Sequence, residues 1–232
     1  IILKGGEGMK IDILSLFPEM FEGFLETSII KRARDNGYVE INIHNFRDYS
    51  LDKHNKVDDY PYGGGAGMVL MCEPIFRCLD EIKTDESFVI MMSPAGKVFK
   101  QEVAVDLSKK KHIIILCGHY EGFDERIKSI VDMELSIGDY VLTGGEVPAM
   151  VVSDAITRLI PGVITSTSLD SESFNDGLLD YPNYTRPEEF RGMRVPEVLL
   201  SGHHKNIEDY RMNERIKRTK EVRKDLSGDS DE

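Results

Sequence analysis

Ile113-Ile114-Ile115-Leu116-Cys117 is an unbroken apolar run rich in β-branched side chains, and Gly118-His119-Tyr120-Glu121-Gly122 follows it directly. Five apolar residues ended by a glycine-bearing turn predict a strand buried on both faces. Similar runs recur at 11–16, 39–45 and 88–92, and helical stretches fall at about 29–36, 73–82, 100–108, 124–130 and 146–160. Strands alternating with helices predict an α/β fold with a largely parallel sheet and helices on its faces. The last helix is the best marked, because Pro148 suits a first turn and Pro161 stops it.

In an open sheet of this kind, ligands sit beyond the carboxyl ends of the strands. Three glycine-bearing loops fall there: Ser93-Pro94-Ala95-Gly96, the 117–122 run, and Ser136-Ile137-Gly138-Asp139-Tyr140-Val141-Leu142-Thr143-Gly144-Gly145-Glu146. They form the default ligand site, with ordinary strand-to-helix turn chemistry as the alternative. Pro61-Tyr62-Gly63-Gly64-Gly65-Ala66-Gly67-Met68 is denser in glycine, yet it has neither the Lys-Ser/Thr of a P-loop nor the spacing of a dinucleotide fingerprint. It reads as a turn, set in a longer polar loop with Lys53, His54, Lys56, Asp58 and Asp59. His119 alone reads as a capping or packed histidine. Arg158 suits the helix dipole at the end of 146–160 and has Asp154 four residues earlier, and Asp170 and Glu172 read first as solubilising charges.

At 232 residues, the chain fits one or two domains with a proper core, and 41% apolar with 30% charged residues is a globular composition. Against 41 acids stand 29 bases, a net charge of -12, which excludes a uniformly basic nucleic-acid coat but not a local basic patch. Cys72, Cys78 and Cys117 form no C-x-x-C pair and leave an odd count, so they signal neither a disulfide framework nor a zinc site, and a reducing cytoplasm is the simplest compartment. No apolar run approaches the roughly 18 residues of a membrane span, so no membrane partner is expected. Met9 is the expected native start, with residues 1–8 a remnant ahead of it.

After Pro161 the composition changes to a Ser/Thr-rich, acidic stretch that reads as a linker, expected to be mobile over about 165–176 until substrate orders it. Beyond it, 188–224 reads as helical. Between 201 and 224, eight Lys or Arg (205, 211, 215, 217, 218, 220, 223, 224) face four acids (208, 209, 214, 221). Arg211, Arg215 and Arg218 share one helical side, as a phosphate-backbone contact requires, although Glu214 and Arg218 at i,i+4 also suit a salt-bridged exposed face.

Several of these stretches, taken with others, resemble one family in order along nearly the whole chain. They are Leu16-Phe17-Pro18-Glu19-Met20-Phe21, Val57-Asp58-Asp59 with Pro61-Tyr62-Gly63-Gly64-Gly65, the 117–122 and 136–142 runs, Gly144-Gly145-Glu146, Tyr184-Thr185-Arg186-Pro187 and Leu200-Ser201-Gly202-His203-His204. Together they resemble the bacterial tRNA (guanine-37-N1)-methyltransferase family of the SPOUT class. The resemblance implies a parallel sheet with a deep trefoil knot around S-adenosylmethionine over 9–162, a flexible linker over 163–180 and a small helical tRNA-binding domain over 181–226. Sequence physics would never propose the knot, since knots are almost absent among folds.

The resemblance also implies a donor site of Ser93, Pro94, Gly118, Tyr120, Glu121, Ile137, Gly138, Asp139, Tyr140, Val141, Leu142, Gly144, Gly145 and Pro148. It implies a homodimer with each active site at the interface, and a guanosine 3′ of the anticodon as acceptor when another guanosine precedes it. Guanine N1 carries a proton, so a base must remove it while charge moves to O6. Arg158 matches the arginine that stabilises that charge. The base matches Glu172, which precedes Ser173-Phe174 where most members carry aspartate, and Asp170 is the substitute two residues away. Magnesium dependence is implied too, without an all-protein metal site, and Glu121 is the carboxylate closest to such a role. The acidic end at 228–232 departs from members that continue in helix. Two readings compete: a SPOUT enzyme acting on a ribose 2′-OH, which needs no carboxylate base, and an RNA-binding module without turnover.

Overall fold

The computed structural model describes residues 8–165, 173–174 and 176–226. The chain divides into two units, Ile1–Ile164 and Thr165–Glu232. In the first unit the sheet strands are β1 (Met9–Ser15), β2 (Val39–Asn45), β5 (Ser87–Val98), β6 (His112–Leu116) and β7 (Met133–Ser136), with β3 (Asp58–Asp59) and β4 (Val69–Leu70) in a separate antiparallel hairpin. The five-stranded sheet has the order β2-β1-β6-β5-β7 and every neighbouring pair is parallel.

Alternation along these strands builds two apolar layers, one on each face. Ile11, Ile13, Ile113 and Ile115 point to one core. It is closed by α2 (Ser28–Asp35), α4 (Gln101–Leu107) and α5 (Glu146–Thr157) through Ile30, Val103, Leu107, Val152 and Ile156. Leu14, Ile114 and Leu116 point to the other, where α3 (Cys72–Ile82) supplies Ile75 and Leu79. All five residues of β6 are buried, as a central strand covered on both faces requires.

Local boundaries differ from expectation for identifiable reasons. The 124–130 stretch is a 3₁₀ helix, Glu125–Ile130, whose preceding Asp124 accepts from the Arg126 amide. The helix predicted over 146–160 ends at Thr157, three residues short of Ile160. Strand β7 and a helical turn α1 (Glu22–Leu25) escaped the apolar pattern because each is only four residues long.

The neighbouring strand β1 carries a buried acid. Asp12 is fully buried, with Lys10 Nζ 2.9 Å from Oδ2, His112 Nε2 2.6 Å from Oδ2 and His44 Nε2 2.9 Å from Oδ1, while Asn42 Nδ2 donates to Oδ1 at 3.1 Å. Burial alone would raise its pKa, but the hydrogen bonds from His44, Lys10, Asn42 and His112 outweigh it and hold the carboxyl well below the usual carboxylate range. Asp12→Ala leaves those donors without their acceptor, so a loss of about 3 kcal/mol is expected in urea unfolding. A depressed folded pKa adds stability that is complete above the unfolded value of about 3.9 and vanishes as pH falls through the folded one. The gap between wild type and Asp12→Ala should therefore hold from neutral pH to about pH 4 and close only in stronger acid.

In the second unit, the expectation of continuous helix over 188–224 needs correction. A two-stranded hairpin, β8 (Glu189–Phe190) with β9 (Met193–Arg194), precedes α6 (Glu197–Leu200) and α7 (His204–Val222). Arg191 and Gly192 both take positive φ (53° and 82°), the conformation of a tight hairpin turn, and that breaks the helix. Among the described residues no helix is long and apolar enough to cross a membrane.

Candidate active site

An arch within β5 and the carboxyl ends of β6 and β7 open onto one cavity of about 390 Å³. Each wall forms for a local reason. Leu135 of β7 pairs with both Met92 and Lys97 of β5, so residues 93–96 arch out of the ladder. Gly96 allows this, because a Cβ there would collide with the backbone of Glu134 and Leu135. After β6 the chain turns through Tyr120, in left-handed conformation at φ 59°, and Gly122 at φ 102°. After β7 the loop closes on the β6 turn. The Gly145 amide donates to the Gly118 carbonyl at 2.9 Å, and a Cβ on Gly145 would lie 2.6 Å from the Cys117 Cα.

All of the residues named for the donor line this cavity except Asp139. His119, Phe123, Thr143 and the inward residues Met91, Met92 and Leu135 join them, together with Asp124, Glu125, Lys128 and Glu134. The acids outnumber the single lysine, and Lys128 is already within 3.0 Å of Glu125 and 3.4 Å of Glu134. Arg126, hydrogen-bonded to Asp124, holds that carboxyl below its ordinary value. The rim therefore favours a cationic ligand. Behind the cavity Cys117 is completely buried, and burial, with Glu146 nearby, pushes its thiol well above the ordinary value, so it is no nucleophile.

The 61–68 run is a turn, with Gly63, Gly64, Gly65 and Gly67 all at positive φ. Its position was not legible: the Glu121 amide donates to the Met68 carbonyl at 3.0 Å, and a Cβ on Gly67 would strike the Glu121 carboxyl. His119 is packed, as expected of it. Its Nε2 lies 2.7 Å from Glu146 Oε2 and its ring meets the edge of Phe17 at 4.8 Å between centroids.

Of the residues expected to act on the acceptor, only Arg158 is described, and it does not line the cavity. Arg158 is half-buried just past the end of α5, away from the first-turn residue Pro148 that lines the cavity. Glu172 and Asp170 lie outside the described residues. No group of three or more His, Cys, Asp or Glu among the described residues could hold a metal ion, so magnesium has no protein-built cage there.

In the second unit, Arg215 requires correction as a phosphate contact. It is buried, its Nη1 and Nη2 donate to Asp176 at 2.9 and 2.5 Å, and its Nε donates to the Leu179 carbonyl at 3.2 Å. The Arg215 guanidinium holds the Asp176 carboxyl below its ordinary range. The face shared by Arg211, Arg215 and Arg218 is thus partly the inner one. Arg211 stacks over the Tyr181 ring at 4.7 Å, and Arg218 is exposed.

The family model described as tRNA (Guanine-1)-methyltransferase TrmD matches residues 9–229. A tRNA (guanine-N(1)-)-methyltransferase of Ureaplasma urealyticum serovar 10 is 61% identical over 219 residues, covering 94% of this chain and 96% of that protein. Proteins of the same name from Staphylococcus epidermidis and Dictyoglomus turgidum are 58% identical over 221 residues and 55% over 219. Each alignment covers 94% of this chain, with 90% and 89% of those proteins. With a match that runs through every loop of the cavity and on into the second unit, the chain belongs to the tRNA (guanine-1)-methyltransferase TrmD family.

Proposed function

We propose that the chain transfers a methyl group from S-adenosylmethionine to N1 of guanosine 37 in tRNAs whose preceding nucleotide is guanosine. In this reading the sheet is a SPOUT-type sheet with a trefoil knot, and the enzyme is a cytoplasmic homodimer with each active site at the interface. The observation that carries it is the one cavity at the arch within β5 and the carboxyl ends of β6 and β7, lined by all the expected donor residues except Asp139, in a chain of this family.

The cavity fits the donor on its own chemistry. About 390 Å³ lies within the usual range for small-molecule sites. Met91, Phe123 and Leu135 offer apolar surface, Tyr120 and Tyr140 offer aromatic faces, and the acidic rim suits a cation. Glycines at 118, 138, 144 and 145 keep side-chain atoms out of space already taken by neighbours. Bound there, S-adenosylmethionine would supply a methyl group on a good leaving group, so no protein nucleophile is needed.

The chain's own residues handle the acceptor. Glu172 takes the N1 proton, with Asp170 as the nearby alternative, and Arg158 stabilises negative charge on O6. Support for a shared interface comes from α5: Val147 and Val151 are 47% and 42% exposed, and Arg158 continues their stripe at helical spacing. No step is assigned to magnesium. Titration calorimetry of the chain with S-adenosylmethionine, without RNA, tests the donor site, because all its loops lie in one unit. Saturable heat is expected, and none at high donor concentration would overturn the assignment.

The second unit is the proposed tRNA-binding part. Binding should weaken steeply with salt despite the net charge of -12, as phosphate contacts release counterions. Arg218→Ala should reduce the slope of log affinity against log salt by about one. Arg215→Ala should instead lower the unfolding midpoint, since Arg215 is spent on Asp176 and Leu179.

A further inference from the structure

We propose that Glu146 is a positioning residue for the methyl donor: paired with His119, it sets the separation of the two loops that wall the cavity. The inference rests on that cavity being the donor site. Glu146 is 1% exposed at the start of α5. Its Oε1 accepts from Ser15 Oγ at 2.6 Å, and its Oε2 lies 2.7 Å from His119 Nε2. The helix N-terminus favours an anion there. A buried carboxylate nevertheless contributes little that packed apolar atoms would not, so stability alone gives a poor account of it.

What the carboxylate does is geometric. Ser15 ends β1 and His119 opens the turn after β6, 131 and 27 residues away in sequence, and both converge on one side chain. Gly144, in the loop after β7, rests directly on the pair. A Cβ at that position would run into the His119 ring and lie 2.6 Å from Glu146 Oε2. The His119 ring also meets Phe17 edge-on, with 4.8 Å between centroids. His119 and Gly144 line the cavity on opposite loops, whereas Glu146 stands behind them and is not a lining residue. Removing the pair lets the two loops shift against each other. Because Glu146 does not face the ligand, every ligand of the cavity feels the change alike, charged at sulfur or not.

The test is calorimetry of the full chain with S-adenosylmethionine and with S-adenosylhomocysteine, its neutral product. Glu146→Gln, His119→Asn and the double variant are compared with wild type. Each single change is expected to weaken both ligands by the same factor, about tenfold, and the double variant by no more than the larger single change. In turnover, donor KM should rise by that factor while kcat at saturating donor changes far less. Equal affinity in wild type and variants overturns the inference. So does a loss confined to S-adenosylmethionine, which would mean that the charge acts on the sulfonium directly, and so do additive losses in the double variant. If Glu146→Gln fails to fold, His119→Asn decides alone: equal weakening of both ligands supports the inference, and unchanged affinity or a loss confined to S-adenosylmethionine overturns it. Failure of wild type to bind either ligand overturns the donor-site assignment itself, and the inference with it.

Discussion

Single-turnover methylation of tRNA should slow by about a hundredfold or more when Glu172 becomes glutamine, with donor and tRNA affinity close to wild type. Glutamine keeps the size and hydrogen bonding of the side chain and removes only its basicity. N1 of guanine must lose a proton before or as it attacks, so the loss falls on the chemical step. Asp170→Asn should do far less. The assignment comes from the Ser173-Phe174 match. If the two results swap, Asp170 is the base and the register of that match is wrong. If neither change slows a single turnover, neither carboxylate is the base, and proton loss to water or to a metal-bound hydroxide accounts for the reaction better.

Gly145→Ala should abolish measurable donor binding and destabilise the first unit by about 1–3 kcal/mol. The added methyl carbon would stand 2.6 Å from the Cys117 Cα and 2.8 Å from the Gly118 amide nitrogen, and because both are backbone atoms no flexible side chain can give way. Relief requires parting the two loops, which breaks the 2.9 Å hydrogen bond from the Gly145 amide to the Gly118 carbonyl. Gly23→Ala is the control, since nothing lies within 4 Å of a Cβ there. Calorimetry and urea unfolding of the two variants check this, and donor affinity retained in Gly145→Ala would contradict the packing argument.

What the sequence made legible follows from how local each signal is. The isoleucines of β6 announce a buried strand by themselves, and the glycine run that follows it could be placed at a strand end without coordinates, whereas the 93–96 run arches out within β5 and the 136–146 run follows a strand too short to be read. Other features depend on partners far along the chain. Asp12 is an odd acid in an apolar strand until Asn42, His44 and His112 arrive from 30, 32 and 100 residues away. Arg215 looks like a phosphate ligand until Asp176, 39 residues earlier, is seen to claim it. Leu135 and Phe123 line the cavity yet lie in segments too short or too polar to stand out. The glycine-dense 61–68 run shows the opposite failing: its turn character was legible, while its seat against Glu121 was not.

The most direct measurement is a single turnover of the full chain with S-adenosylmethionine on two tRNA transcripts that differ only in the nucleotide before guanosine 37, with the methylated atom mapped in the product. The expected result is a methyl group on N1 of guanosine 37, formed rapidly when guanosine precedes it and much more slowly when it does not. A methyl group on a ribose 2′-oxygen, or tight tRNA binding with no methyl transferred to either transcript, would contradict it.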